Sequence, residues 1–195
     1  MLRRLLPPLA SIALVVTACT SGPPGPSSAP SFQPGSSPGA TNATTAPLLP
    51  TGRYDLPTYS PDQFDQLLGQ LHGTPVVVNF WASWCGPCRE EAPGLGAVSR
   101  EFASKVQFIG VDLKDQRDAA LVTIRDFAYP YPSVADPQGA IQRSFGFFAQ
   151  PVTVFYDGDG DRVMVDQPGA GRVPQYSGAI PEKTLRSVVQ QLAAG

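Results

Sequence analysis

Apolar residues recur along this chain with two different periods. After Ser60-Pro61-Asp62, the residues Phe64, Leu67, Leu68 and Leu71 follow at three- and four-residue intervals, the spacing of one helix face. Serine as N-cap, proline at the first helical position and an acid in the first turn mark the start of that helix, and Gly73 marks its end. Val76 to Trp81 (VVVNFW) is a short, mostly apolar run of strand formers, which suits a strand covered on both faces. A helical stretch is expected from Cys85 to about Ala103, then a strand over Val106 to Asp112 (VQFIGVD). Asp118 to Phe127 reads as a helix, Tyr129 to Pro132 as a turn, and Pro137 to Phe145 as a further helix. Val152 to Tyr156 (VTVFY) reads as a strand, Asp157-Gly158-Asp159-Gly160 as a hairpin turn, and Arg162 to Val165 as the partner strand. Pro181 to Leu192 closes the pattern as an amphipathic helix, with Leu185, Val188, Val189 and Leu192 on one face. Strands alternating with helices, then a hairpin and a helix, predict an α/β fold: a mixed central sheet with helices on both faces.

The first fifty residues follow neither period. Arg3 and Arg4 precede a short apolar stretch from Leu9 to Val16, the layout of a secretory signal and too short to cross a bilayer core of about 30 Å. Val16-Thr17-Ala18-Cys19 then resembles the bacterial lipoprotein box, which implies that residues 1–18 are a signal peptide and that Cys19 is lipidated. Several acyl chains on one cysteine, each contributing roughly 0.8 kcal/mol per buried CH₂, anchor a protein stably. Thr20 to Pro50 holds no charged residue and is dominated by Pro, Ser, Thr, Gly and Ala. Such a segment cannot bury enough apolar area to offset its ordering entropy. Residues 19–52 are therefore expected to be a lipidated, disordered tether, and 53–195 the folded domain.

Charge narrows the function. Lys+Arg is 14 and Asp+Glu 16, for a formal net charge of -2. There is no basic surplus to neutralise a phosphate backbone, so nucleic-acid binding is not expected. The 22 prolines and 19 glycines carry no G-X-Y period, which excludes collagen. Three cysteines are too few for a disulfide scaffold. The single histidine, His72, reads as a helix-end residue, and the Asp157, Asp159 and Asp161 alternation reads as turn chemistry rather than a calcium loop, for want of a twelfth-position Glu.

Chemistry concentrates at Cys85-Gly86-Pro87-Cys88. On a helix beginning at Cys85, thiols at i and i+3 share one face. The preceding strand delivers Cys85 to a helix N-terminus, where free backbone N–H groups and the dipole favour a thiolate. A free cysteine has a pKa of about 8.5, so lowering it to near 7 takes roughly 2 kcal/mol. The dipole supplies up to about 2 kcal/mol when partly buried, and a hydrogen bond to sulfur adds to it. Gly86 lets a partner chain approach, and Pro87 sits where a helix needs no N–H. Trp81 and Trp84 are expected to pack around the dithiol, with Trp84 lining the outer thiol. The competing readings are half a zinc site, for which the other ligands are lacking, and a permanent structural disulfide.

Asn79-Phe80-Trp81-Ala82-Ser83-Trp84-Cys85-Gly86-Pro87-Cys88 resembles the active-site segment of the thioredoxin superfamily. Cys88-Arg89-Glu90-Glu91-Ala92-Pro93 is similar to its extracytoplasmic TlpA/ResA-like branch, which includes the reductases of cytochrome c maturation. The resemblance covers roughly Pro57 to Leu192. It implies a thioredoxin-like fold in which Gln150-Pro151 is the cis-proline loop, placing the Gln150 backbone where a substrate chain pairs beside Cys85. The 63 residues from Cys88 to Pro151 imply the branch's helix-plus-strand insertion, within Ala119 to Ala140. Asn79 stands where plain thioredoxins carry a buried Asp. The resemblance gives Glu91, three residues after Cys88, the proton-handling role instead.

The function implied is a membrane-anchored protein-disulfide oxidoreductase at the outer face of the bacterial cytoplasmic membrane. Cys85 attacks, Cys88 resolves with help from Glu91, and no cofactor or metal is called for. Apocytochrome c is the leading target, a membrane thiol donor re-reduces the enzyme, and a monomer is expected. Two rivals remain: an oxidant that forms disulfides in secreted proteins, and a thiol-based metal chaperone.

Overall fold

Ser60 does cap a helix. In the computed structural model, which describes residues 46–127 and 129–195, α1 runs Pro61–Gln70. Ser60 Oγ accepts from the Gln63 N–H and Gln63 Oε1 accepts from the Ser60 N–H, a reciprocal capping box. The other predicted helices form as α2 (Gly86–Glu101), α3 (Arg117–Asp126), α4 (Ala140–Ser144) and α5 (Glu182–Leu192). The signal segment, Cys19 and the tether up to residue 45 lie outside the described residues. Among those described, no helix is long and apolar enough to cross a membrane.

The strands are β1 (Val76–Trp81), β2 (Gln107–Leu113), β3 (Ser133–Asp136), β4 (Val152–Tyr156), β5 (Val165–Gln167), β6 (Gly171–Val173) and β7 (Tyr176–Ser177). Five of them form one mixed sheet in the order β3-β2-β1-β4-β7. β1, β2 and β3 run parallel, while β4 is antiparallel to both β1 and β7. The helix and strand expected within Ala119 to Ala140 are α3, which starts two residues earlier at Arg117, and β3, which adds a parallel strand at the β2 edge. That edge is covered in turn by Pro57–Tyr59, whose backbone bonds Ala135, so it offers no free template for pairing.

Both faces of the sheet are buried, and they differ in kind. Val76, Val78 and Phe80 of β1, Ile109, Val111 and Leu113 of β2, and Val152 and Val154 of β4 pack with Phe64, Leu67 and Ile141 beneath α1 and α4. This face is mainly apolar; Asp136, level with Leu113, is buried on it as the cap of α4. The opposite face carries Val77, Trp81, Phe108 and Phe155 against Leu95 and Val98 of α2 and Leu185 and Val189 of α5. Into it the same strands place buried Asn79, Asp112 and Thr153. Each fully buried Leu, Val or Phe contributes about 1.5–3 kcal/mol. Polar groups in such a layer are tolerated only when bonded, which marks the α2 side as the working face.

Close approach is built in at Gly110. A Cβ there would lie 2.2 Å from Ser133 Oγ and 2.7 Å from Trp81 Nε1. The serine hydroxyl can turn away, but the buried indole cannot. Gly110→Ala is therefore expected to destabilise the fold by about 1–3 kcal/mol through overpacking, read as a lower urea midpoint with the slope unchanged.

Three expectations are corrected. Arg162 to Val165 does not form a partner strand for β4. Arg162 makes an isolated bridge to Tyr156, and the Val163 N–H donates to the Phe155 carbonyl. The chain then leaves the sheet for the β5–β6 hairpin, turned by Pro168-Gly169-Ala170, while β7 takes the outer edge of β4 over Val152 and Thr153. Second, the helix expected from Pro137 starts only at Ala140. Asp136 caps it from upstream, accepting from the Ala140 and Gln142 N–H groups at 2.7 and 2.9 Å, and Gly139 takes φ +65 between them. Third, packed structure starts before Arg53. The Leu48 N–H donates to Gln70 Oε1 at 2.8 Å and Gln70 Nε2 donates to the Ala46 carbonyl at 3.1 Å. Leu48 and Leu49 rest on the α1 side of the core, so the tether reading gives way over residues 46–52.

Candidate active site

β1 ends at Trp81, and the chain turns through Ala82, Ser83 and Trp84 into α2. The Cys85 N–H donates to the Ala82 carbonyl at 3.1 Å, closing that turn. Cys85 is the N-cap of α2 in extended conformation, and its Sγ accepts from the Cys88 N–H at 3.2 Å. A backbone donor at a helix N-terminus thus points at the sulfur, as the spacing predicts. Cys85 and Cys88 are joined as a disulfide, with Cα atoms 5.3 Å apart. Among the described residues no group of three or more His, Cys, Asp or Glu is placed to hold a metal ion.

Cys85, the outer thiol of the sequence reading, is itself buried. Cys85 is 5% exposed and Cys88 1%, because both lie in the α2-side core with Trp81, Ala82 and Ala92. Of the two sulfurs, that of Cys85 belongs to the less deeply buried residue. Trp84 stands outward at 56% exposure. Pro87 is exposed and Gly86 half-buried, with open space where a Gly86 side chain would point.

Glu91 lies one turn along α2 from Cys88, 5% exposed. Asn79 Nδ2 donates to one of its carboxylate oxygens at 2.8 Å, and the Ile180 N–H donates to the other at 2.8 Å. Asn79 also donates to Thr153 Oγ1 at 3.3 Å. Asn79, held in turn by Thr153, therefore positions this acid. Burial raises the Glu91 carboxyl to about 7, outweighing the two hydrogen bonds that pull it down. A cleft of about 320 Å³, lined by Glu90, Glu91, Gly94, Ile180 and Glu182, opens it toward solvent.

The Gln150–Pro151 peptide is cis. Val152, next to it, pairs with Phe80, so this loop reaches the same end of the sheet as the redox loop. The Pro151 carbonyl accepts from the Gly178 N–H at 2.8 Å, and Gln150 is half-buried. Upstream, the Phe145 and Phe147 rings pack on Phe80 at 4.9 and 4.8 Å. They anchor the loop and leave Phe148 outward, 77% exposed, the highest among the large exposed apolar residues.

Two features escaped the sequence reading. Phe148 was indistinguishable from its buried neighbours in the run Phe145-Gly146-Phe147-Phe148. Asp115 was one acid of many, yet its carboxylate accepts from both the N–H and the hydroxyl of Ser83. No local signal identified it, since its partner lies 32 residues away. Nearby, burial, the charge and hydrogen bond of Asp115 and the charge of Asp136 push the buried Asp112 carboxyl up to about 8. His72 follows α1, and Asp157 Oδ1 accepts from the Asp159 and Asp161 N–H groups, which is turn chemistry.

A CxxC disulfide at the head of the helix after a central strand, beside a cis-proline before the next antiparallel strand, defines a thioredoxin-fold dithiol protein. The chain belongs to the AhpC/TSA family, whose pattern matches residues 60–162. It is 42% identical over 98 residues to a thiol:disulfide interchange protein DsbE homolog of Paracoccus denitrificans, covering 49% of this chain and 52% of that one. It is 33% identical over 102 residues to thiol:disulfide interchange protein DsbE of Escherichia coli K12, covering 52% and 54%. The chain thus spans about half the length of these curated relatives. Among solved structures, a secreted Mycobacterium tuberculosis disulfide oxidoreductase homologous to E. coli DsbE superposes with a TM-score of 0.54 at 28% identity, over 64% of this chain and 86% of that one.

Proposed function

We propose that this protein is a thiol–disulfide oxidoreductase that reduces disulfides in other proteins outside the cytoplasmic membrane. The observation that carries the reading is Cys85 Sγ, bonded to Cys88 and hydrogen-bonded by its N–H at the head of α2. The DsbE-named relatives and the secreted disulfide oxidoreductase support the class of reaction.

In the reduced protein, the Cys85 thiolate attacks one sulfur of a target disulfide. That bond breaks, a target thiolate leaves, and a mixed disulfide forms. Glu91 takes the Cys88 proton, and the Cys88 thiolate attacks the Cys85 sulfur. The second target thiolate leaves, two electrons have passed to the target, and the Cys85–Cys88 disulfide remains. A carboxyl near 7 is matched to accepting and releasing that proton at neutral pH. Trp84, Gly86, Pro87, Gln150 and Pro151 form the substrate-facing surface, and exposed Phe148 extends it.

The finer assignments follow from the resemblance. The oxidised haem-binding CxxCH of apocytochrome c is the proposed target, a membrane dithiol donor supplies electrons, and lipidated Cys19 keeps the domain at the membrane's outer face.

Equilibration with glutathione tests the direction. A reductase is expected to have a potential below about -200 mV, and to reduce an oxidised CxxCH peptide. A value near -120 mV, that of the strong periplasmic oxidants, would reverse the reading to an oxidant.

A further inference from the structure

All three backbone and side-chain polar groups of Ser83, two residues ahead of Cys85, are engaged. Its N–H and its hydroxyl donate to the two oxygens of Asp115 at 2.5 and 2.7 Å. Its carbonyl accepts from Arg89 Nη1 at 2.8 Å. Asp115 lies just beyond β2, where it also accepts from the Gln116 N–H at 2.9 Å. The turn that aims it is held against preference. Lys114 takes φ +51, a left-handed conformation that side-chain-bearing residues avoid. Its N–H donates to the Asp136 carbonyl at 3.1 Å, and its side chain lies over Gly139, where a Cβ would meet Lys114 Cε at 2.4 Å. Such a distortion persists only where the surroundings over-determine it. What it delivers here is an anion clamped onto the loop that carries Cys85.

We propose that Asp115 is a positioning residue of the redox loop: by holding Ser83 through two charge-assisted hydrogen bonds, it fixes Cys85 at the N-terminus of α2. The proposal rests on the reading of Cys85 as the nucleophile. The charged or titratable groups at this corner are Asp112 and Asp115 from the end of β2, Lys114 between them, Asp136 from β3 and Arg89 from α2.

Charge and position pull in opposite directions, which makes the role separable. An anion near a thiol disfavours the thiolate, so a purely electrostatic Asp115 would slow Cys85, and its removal would speed the reaction. A positioning Asp115 aligns Sγ with the Cys88 N–H and the helix terminus, so its removal slows the reaction. A contribution to stability alone would leave the reactivity of the folded protein unchanged.

The test is the pH dependence of Cys85 alkylation by iodoacetamide in the reduced protein, with the modified thiol identified by peptide mass. Asp115→Ala is expected to raise the apparent thiol pKa and to react about tenfold more slowly at pH 7. Ser83→Ala loses only the hydroxyl bond and is expected to shift less. Combining it with Asp115→Ala is expected to add nothing, because both act through one contact. A folded Asp115→Ala whose profile overlays the wild type, or moves to lower pH, overturns the proposal. Should that variant not fold, Ser83→Ala decides: a shift in the same direction supports the clamp, and an unchanged profile overturns it. A wild-type Cys85 that stays unreactive up to pH 8.5 overturns the nucleophile reading itself, before any variant is compared.

Discussion

A Cys88→Ser variant is expected to accumulate as a mixed disulfide with its target, while Cys85→Ser accumulates none. Attack needs a thiolate, and only Cys85 combines the lesser burial of the two with a backbone donor aimed at its sulfur. Cys88, 1% exposed and inside the first turn of α2, meets a target only after Cys85 has bonded to it. A serine at position 88 leaves the first attack intact and removes the second, so the covalent intermediate persists. A serine at position 85 removes the nucleophile, because an alcohol is not ionised near neutrality. Turnover in a disulfide-reduction assay is expected to fall at least about a thousandfold in both variants. Non-reducing electrophoresis separates the two, and mass spectrometry of the trapped species names the target. Equal trapping by both variants would contradict the assigned order of attack. A trapped protein bearing CxxCH would support the apocytochrome assignment.

The parts of the fold read correctly from the sequence are those with a local physical signal. Ser60, Pro61 and Asp62 announce α1 through local signals that need no distant partner. Val76 to Trp81 is apolar at every position but Asn79, and β1 is buried along its whole length. The Cys85 to Cys88 spacing carries its own geometry, so the dithiol was legible as chemistry before any resemblance was invoked. The cis peptide at Pro151 was not: a trans proline is the ordinary reading of a strand start, and only the resemblance selected cis.

What remained hidden depends on contacts between segments far apart in the chain. β7 pairs with β4 through two residues on each strand, too few to show a period. Tyr176 and Ser177 look like loop until a neighbour is known. Leu48 and Leu49 sit in a stretch rich in Pro and Thr, and pack because Gln70 and Tyr59 reach back to bond the Ala46 and Leu48 backbone. Composition predicts a tether there; four specific residues override it. Asp115 and Glu91 show the same limit at the site. Glu90 and Glu91 are identical in type and adjacent, yet one is exposed and the other buried under Asn79 and the Ile180 N–H.

That burial has a consequence for the whole domain. The oxidised protein is expected to be more stable at pH 5 than at pH 8. Glu91 rises from an ordinary value of 4.5 to about 7, and Asp112 from 3.8 to about 8. Between roughly pH 4 and pH 8 the folded chain therefore holds protons that the unfolded chain has released. Stability falls with rising pH wherever the folded state binds more protons. The contribution is complete below the unfolded values, declines through this window, and levels off once both folded carboxyls have ionised. At 1.36 kcal/mol per pH unit, Glu91 accounts for on the order of 3 kcal/mol and Asp112 for somewhat more. In the disulfide form neither cysteine titrates, so the slope reports these acids. Urea midpoints at pH 5, 6, 7 and 8 measure it. Glu91→Gln is expected to lower the midpoint at pH 5, since an amide cannot accept both existing hydrogen bonds, and to flatten the slope below pH 7. Asp112→Asn is expected to flatten it through pH 8. A wild-type midpoint that rises from pH 5 to pH 8 would mean that Glu91 is an ordinary ionised carboxylate at neutrality. It would then lack the affinity to take a proton from Cys88, and the resolving step would need another base.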